Sequence, residues 1–336
     1  MHRSLEIALW ALAALLALAL QLFVGAPAGR PLLSAVFDAG HAPLYGLVAL
    51  AALRLVSGRP AIARSPRGRD YVGAGALALC LGGGVEFVQY FGPRNADFAD
   101  LGRNALGIAG VLLVAAGWER RAPRRATAHL ATPAVPRGGR ALLRMLPGLL
   151  PGVTLFAVAA LPVAHVALAY RARDAAFPLL YDFEQRWEGT FLATRDARLD
   201  RCPAPDDWRG TRRGRVARVV YAPGPYPALL LNAPAPDWRG YAQLRFDVYA
   251  PPPDSFRLWL RVDTKPAGIE GTAQSTRPIW IRPGAHQLAI PLAELAAPGD
   301  EAPGLELGRV RSLALFLDHP SDTTTIYFDR VRLGPR

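Results

Sequence analysis

The chain is short of the residues that usually declare a function. Of its 39 lysines and arginines only one is a lysine, Lys265. Cysteine occurs twice, at Cys80 and Cys202. One lies in an apolar stretch and the other in a strand-patterned region, so neither a metal-ligand spacing nor a disulfide framework results. There is no phosphate-cradling glycine loop and no serine-nucleophile or metal motif, so motifs assign no reaction class. No internal repeat and no low-complexity tract occurs. Polar residues are scarcest at the start: Leu5 to Val24 holds only Glu6 and Gln21 as strongly polar side chains. That stretch is long enough to cross a bilayer.

What the chain has is apolar residues in blocks. They make up 51% of 336 residues and pile up before residue 171. Further spans read as His41–Val56, Tyr71–Phe91, Leu101–Trp118 and about Leu146 to Tyr170. The formal charge of +12 invites a nucleic-acid reading, but its placement argues otherwise. Arg59, Arg64, Arg67 and Arg69 lie between spans two and three. Arg120, Arg121, Arg124, Arg125, Arg137 and Arg140 lie between spans four and five. The alternate loops carry fewer, which is a positive-inside pattern. It predicts a bacterial cytoplasmic-membrane protein with a cytoplasmic N-terminus and an extracytoplasmic C-terminal domain. The arginines set topology or touch anionic lipid, and no nucleic-acid partner is expected. Their near-monopoly over lysine reads as codon bias of a GC-rich bacterial genome. His2-Arg3, the apolar stretch and Ala26-Pro27-Ala28 imitate a signal peptide, but the stretch is longer than a usual signal core, which favours an uncleaved first helix.

Four units follow: a four-helix membrane domain over 1–118, an Arg/Pro-rich cytoplasmic linker over 119–145, a fifth transmembrane helix over 146–172, and a β-sandwich over 176–336. Pro147, Pro151 and Pro162 fall in the fifth span, where Pro162 should kink the helix or be covered by a neighbour. His165, near its outer end, reads as an interfacial side chain. From Tyr181 the period changes to two. Leu244, Phe246 and Val248 alternate with polar neighbours, as do Phe256, Leu258, Leu260 and Val262. Short runs follow at Ile279–Ile281, Gln287–Ile290, Ser312–Leu317 and Thr325–Phe328, separated by Pro/Gly turns such as Pro223-Gly224-Pro225. The fold class expected is a membrane all-α bundle of five helices plus an all-β jelly-roll sandwich.

One polar run interrupts the apolar pattern. Glu86 and Gln89 share a helix face near the end of span three. Asp97, Asp100 and Asn104 fall at i, i+3 and i+7, again one face. Asp38 and His41 stand at the start of span two on the same side. Asp97 also suits a helix cap, and Arg94 can pair with a carboxylate. Glu86 is different: it lies in an apolar span beside Gly82-Gly83-Gly84, where helices can approach closely, and a buried glutamate must pair, be protonated or face water. Asp38-x-x-His41, Glu86-x-x-Gln89-x-Phe91 and Arg94-x-x-Asp97-x-x-Asp100-x-x-x-Asn104-x-x-Gly107 resemble the signature of the VanZ-like membrane family over the first 120 residues. That family takes its name from a member linked to teicoplanin resistance, and its biochemical activity is in general undefined. The resemblance implies a cell-envelope role, with a link to glycopeptide-antibiotic tolerance, and makes His41, Glu86, Gln89, Arg94, Asp97, Asp100 and Asn104 the family-type residues.

Tyr181-Asp182-Phe183-Glu184, Trp238-Arg239-Gly240-Tyr241 and Phe328-Asp329-Arg330-Val331-Arg332-Leu333 resemble carbohydrate-binding-module jelly rolls of the galactose-binding-like type. In such domains acidic residues of the first and last strands can hold a structural calcium, which implies Glu184 and Asp329 here; two carboxylates alone are too few for that ion. Trp259, opposite Leu258 and Leu260, either stacks on a sugar ring or is core of the second sheet; Trp187, Trp208, Trp238 and Trp280 carry the same ambiguity. The function expected is an envelope accessory protein that binds or positions a lipid-linked or wall-derived glycan. A rival is a membrane-embedded acid/base hydrolase or transferase using His41 with Glu86 or Asp100. A third is a small transporter with Glu86 as proton carrier.

Overall fold

The computed structural model describes residues 2–24, 29–57, 66–91, 98–120, 138–209, 214–253, 255–264, 273–297 and 304–335. The chain forms two compact units: residues 1–27 with 32–165, and residues 28–31 with 166–336.

The first unit is helical. Its helices are α1 (His2–Phe23), α2 (Pro31–Ser57), α3 (Gly68–Tyr90), α4 (Phe98–Arg120) and α5 (Gly138–Ala176), the last of which runs on into the second unit. All five are long and apolar enough to cross a membrane. Two boundaries differ from the sequence reading. Helix α2 begins ten residues before His41, with Pro31 at its first position, where a missing amide donor costs nothing,. Asp38 and His41 are therefore inside the helix and interrupt only its apolar pattern. Helix α5 begins at Gly138, so residues 138–145 are helix and not linker, and it continues through all three of its prolines.

Close helix contacts are made by glycines, but not by the triplet as a whole. A Cβ on Gly107 would overlap the backbone of Ala42, so α2 and α4 touch backbone to backbone there,. Helices α4 and α5 do the same at Gly117 with Gly148 and at Gly110 with Gly152. Of the triplet, only Gly82 is in contact: a Cβ there would lie 3.0 Å from Tyr45 Cε1 and 3.2 Å from Asn104 Nδ2. Gly83 and Gly84 meet nothing within 4 Å.

The second unit holds two antiparallel sheets. Its strands are β1 (Leu179–Tyr181), β2 (Leu192–Arg195), β3 (Ala197–Pro203), β4 (Arg215–Tyr221), β5 (Ala228–Asn232), β6 (Tyr241–Ala250), β7 (Phe256–Thr264), β8 (Ala273–Ile281), β9 (Gly284–Pro291), β10 (Val310–Leu317) and β11 (Thr324–Pro335), with short helices α6 (Asp206–Arg209) and α7 (Leu292–Ala296). One sheet runs β3-β4-β11-β6-β9, with β1 paired to the far end of β11; the other runs β2-β5-β10-β7-β8. Alternation assigns the faces. Leu244, Phe246 and Val248 of β6, Leu258, Leu260 and Val262 of β7, and Leu313, Leu315 and Leu317 of β10 all enter one core,. Tyr181 and Tyr221 close it, donating their hydroxyls to the carbonyls of Asn232 and Leu315 at 2.9 and 3.1 Å. Trp238 is wholly buried and donates its Nε1–H to the Ala235 carbonyl at 2.8 Å. Trp208 stacks on Tyr249 in a small side cluster.

Candidate functional site

Four helices bring their polar side chains to one place. Gln21 comes from α1, His41 from α2, Glu86 and Gln89 from α3, and Asn104 from α4, and all five are buried. His41 Nδ1 lies 3.2 Å from Asn104 Oδ1 and 3.2 Å from Gln21 Nε2. Gln21 Nε2 donates to Glu86 Oε1 at 3.4 Å, and Gln89 Nε2 donates to the Gln21 carbonyl at 3.2 Å. On its other side, His41 Nε2 stands 3.8 Å from Asp100 Oδ2, and Asp100 also pairs with Arg103. Asp38, half-buried one turn before His41, acts on the imidazole through its charge. His41, Glu86 and Asp100 each turn one ligand-type atom inward, with all three atoms within 4.8 Å of one another.

The sequence-predicted residues His41, Glu86, Gln89, Asp100 and Asn104 thus meet. Arg94 and Asp97 lie outside the described residues. Gln21 was missed as a partner, although it was one of two strongly polar side chains in the first span, and such residues are costly in lipid without a partner. Arg103 was missed as well. Its signal is the i, i+3 spacing from Asp100.

The second arrangement is on the outer face of the sandwich. Trp259, Arg257 and Arg261 point away from the core that takes Leu258 and Leu260. Trp259 stacks on Phe316, its cross-strand partner, with centroids 6.2 Å apart and planes 15° apart. Phe316 meets Tyr226 edge-on at 6.1 Å, and Tyr226 meets His319 at 4.8 Å. In the other direction the Arg257 guanidinium lies 5.9 Å from the Trp259 ring and 4.9 Å over Trp280, its partner on β8. Trp280 is 67% exposed and Tyr226 45%. A stripe of aromatic side chains, joined between Trp280 and Trp259 by the Arg257 guanidinium, therefore crosses three adjacent strands of the sheet. The tryptophans divide accordingly: Trp238 and Trp208 are buried structure, Trp187 packs edge-on to the buried Phe191, and Trp259 and Trp280 face outward.

Glu184 and Asp329 line one cavity of about 710 Å³, together with Asp182, Arg245 and Arg332. Glu184 Oε1 accepts from the Arg215 amide at 3.2 Å, and Asp329 Oδ1 from the Arg330 amide at 2.8 Å. Glu188, which the sequence did not signal, is a further buried carboxylate of this unit. It is 1% exposed and accepts backbone N–H groups of Asp182, Phe183 and Gln185 at 2.6, 3.0 and 3.1 Å. Burial pushes its carboxyl up to about 7, against the pull of the amides and of Arg201,.

No protein-family model matches the chain, and no curated protein matches it. Solved structures similar to it include a family 11 carbohydrate-binding module from Clostridium thermocellum in complex with a beta-1,3-1,4-mixed-linked tetrasaccharide. That module is 15% identical, with a TM-score of 0.37 over 47% of this chain and 94% of its own. An exo-beta-agarase is 18% identical, with a TM-score of 0.40 over 47% of this chain and 25% of its own. A family 30 carbohydrate-binding module is 11% identical, with a TM-score of 0.34 over 44% of this chain and 92% of its own. These likenesses concern β-sandwich structure and identify no ligand here.

Proposed function

We propose that the chain is an integral protein of a bacterial cytoplasmic membrane that binds a glycan of the cell envelope on the outer face of its sandwich. The observation that carries this reading is the stripe Trp280–Arg257–Trp259–Phe316–Tyr226. Sugar rings present apolar faces that stack on flat aromatic side chains, and a row of such side chains on one sheet suits an extended saccharide. The five long apolar helices support the membrane reading, and the arginine-rich stretches of the sequence support its sidedness: N-terminus inside, sandwich outside, where it would meet lipid-linked or wall-derived saccharide,. The VanZ-like signature of the first 120 residues fits that envelope setting and an effect on glycopeptide tolerance. A structural calcium near Glu184 and Asp329 belongs to the same reading; chelation should lower the melting temperature of the sandwich if the ion is there.

The test uses full-length protein in lipid nanodiscs, with wall fragments and lipid-linked saccharide as separate ligands. Binding to one of them is expected. Trp259→Ala and Trp280→Ala should each weaken it about tenfold, the equivalent of about 1.4 kcal/mol. Wild-type affinity in the double variant sinks the reading. A second reading has its own observation, the convergence of His41, Glu86 and Asp100. It makes the protein a hydrolase or transferase acting on the same glycan or its lipid carrier, and turnover that Glu86→Gln abolishes would favour it.

A further inference from the structure

We infer that His41, Glu86 and Asp100 are the protein ligands of one zinc-class divalent metal ion within the helical unit. Three separate helices each deliver one nitrogen or oxygen donor, and the donors lie within 4.8 Å of one another. Two ligands of one such ion, each at about 2.0–2.2 Å from it, stand about 3–4 Å apart. The 3.8 Å between His41 Nε2 and Asp100 Oδ2 is already in that range. The longest separation in the set, up to 4.8 Å, would have to shorten by side-chain rotation as the ion binds.

The surroundings favour a ligand over a proton relay. Asn104 is fully buried, and its Oδ1 lies 3.2 Å from His41 Nδ1. In the proposed site Nδ1 donates its hydrogen to that oxygen, and Nε2 turns its lone pair to the metal on the Asp100 side. This is how metal-ligating histidines are held: the far ring nitrogen donates to a fixed oxygen. Tyr45 and Asn104 both approach Gly82, and the Tyr45 hydroxyl and Asn104 Nδ2 are buried with no hydrogen-bond partner among the described residues. Buried donors of this kind call for an oxygen, and an ion held by three protein ligands would keep a coordination position for water.

The donor set selects the metal. One imidazole nitrogen with two carboxylates suits Zn²⁺, Mn²⁺ or Fe²⁺, whereas Ca²⁺ and Mg²⁺ are bound by oxygens alone.

The experiment takes full-length protein in detergent, stripped with EDTA, and titrates it with Zn²⁺ and with Co²⁺ as a spectroscopic stand-in. One ion per chain is expected, with no competition from Ca²⁺ or Mg²⁺. His41→Gln, Glu86→Gln and Asp100→Asn should abolish it, and Asn104→Ala should weaken it about ten- to hundredfold. Asp70→Asn, a buried carboxylate of the same unit outside the cluster, and His165→Ala should leave it unchanged. Circular dichroism and elution volume confirm folding. Should a cluster variant aggregate, the wild-type Co²⁺ spectrum decides. Intense visible bands of a four- or five-coordinate site support the assignment, and the weak spectrum of hydrated Co²⁺ overturns it. Absence of saturable binding, or binding that survives His41→Gln, also overturns it. Glycan binding on the sandwich is measured separately and stands or falls on its own.

Discussion

Leu16 of the helical unit and Leu315 of the sandwich are the same side chain in opposite surroundings. Leu16 is 62% exposed and Leu315 is fully buried. The pattern is general. The helical unit turns Leu9, Leu15, Phe87 and Leu161 outward and buries Gln21, His41, Glu86, Gln89 and Asn104; the sandwich buries Phe246, Leu260 and Phe328 and turns Arg239, Arg257 and Asp318 outward. On the proposed placement one rule explains both: each unit hides what its surroundings would not accommodate, lipid around the helices and water around the sandwich. In lipid the polar residues must find partners, as the cluster shared by four helices does. In water the apolar residues must, and the polar and aromatic side chains stay at the surface.

The sharpest way to break this comparison is to separate the units. Residues 176–336 expressed alone should be soluble and melt cooperatively, because their core is continuous and comes mainly from the two sheets, with Ala169 and Tyr170 of α5 the only earlier residues in it among those described,. Residues 2–120 alone should stay insoluble unless detergent is present. A sandwich that comes out molten or aggregated would mean that its surface is not a water-facing surface, and the glycan reading would go with it.

A second comparison substitutes the two leucines. Leu315→Ala should lower the stability of the sandwich by about 2–5 kcal/mol, the cost of a core cavity. Leu16→Ala should change that of the detergent-solubilised protein by less than about 0.5 kcal/mol, as for a side chain with no packed neighbours to lose. Equal effects measured by urea titration would reject the inside-out description of the helices. Within the helical unit the costly change is polar instead: Asn104→Ala strips the partner from a buried imidazole and should cost about 1–3 kcal/mol,.

How far the sequence spoke depends on the same solvent rule. The long apolar helices were legible because a run such as Leu5–Val24, with so few polar side chains, has few other uses. The start of α2 was not, because Asp38 and His41 break the apolar run while the helix is held by its neighbours. Strands β6 and β7 were legible from strict alternation. Strand β5, Ala228–Asn232, is a nearly unbroken apolar run, which fits a helix or a strand equally well. The face of Trp259 could be stated only as two alternatives. Its settlement needed the register that pairs Trp259 with Phe316 and Arg257 with Trp280, and register is a long-range property,. The meeting of His41 with Glu86 and Asp100 was half legible. Helical spacing put each on a face, but only the packing of α2 to α4 put those faces together.

The sandwich also buries carboxyl groups, and Glu188, 1% exposed, is the most buried of them among the described residues. Glu188 accepts three backbone N–H groups, which favour the ionised form, and it is buried, which disfavours it,. Burial wins, and the folded-state value stands at about 7, above the ordinary 4.5 of the unfolded chain. Between those values the folded sandwich holds a proton that the unfolded chain has released. The contribution of Glu188 is therefore full below pH 4.5 and is lost as pH rises through 7, at about 1.4 kcal/mol for each unit of separation. Glu188→Gln cannot ionise, so its stability carries none of this slope. The difference in unfolding free energy between wild type and Glu188→Gln should accordingly fall by about 3 kcal/mol from pH 4.5 to pH 8, most of it before pH 7. A difference that stays flat over that range means that the amides hold the carboxylate ionised throughout. Glu188 would then be a fixed anion under three N–H donors, as firmly partnered as any buried group of the helical unit, and the sandwich would have no pH dependence of its own from this residue.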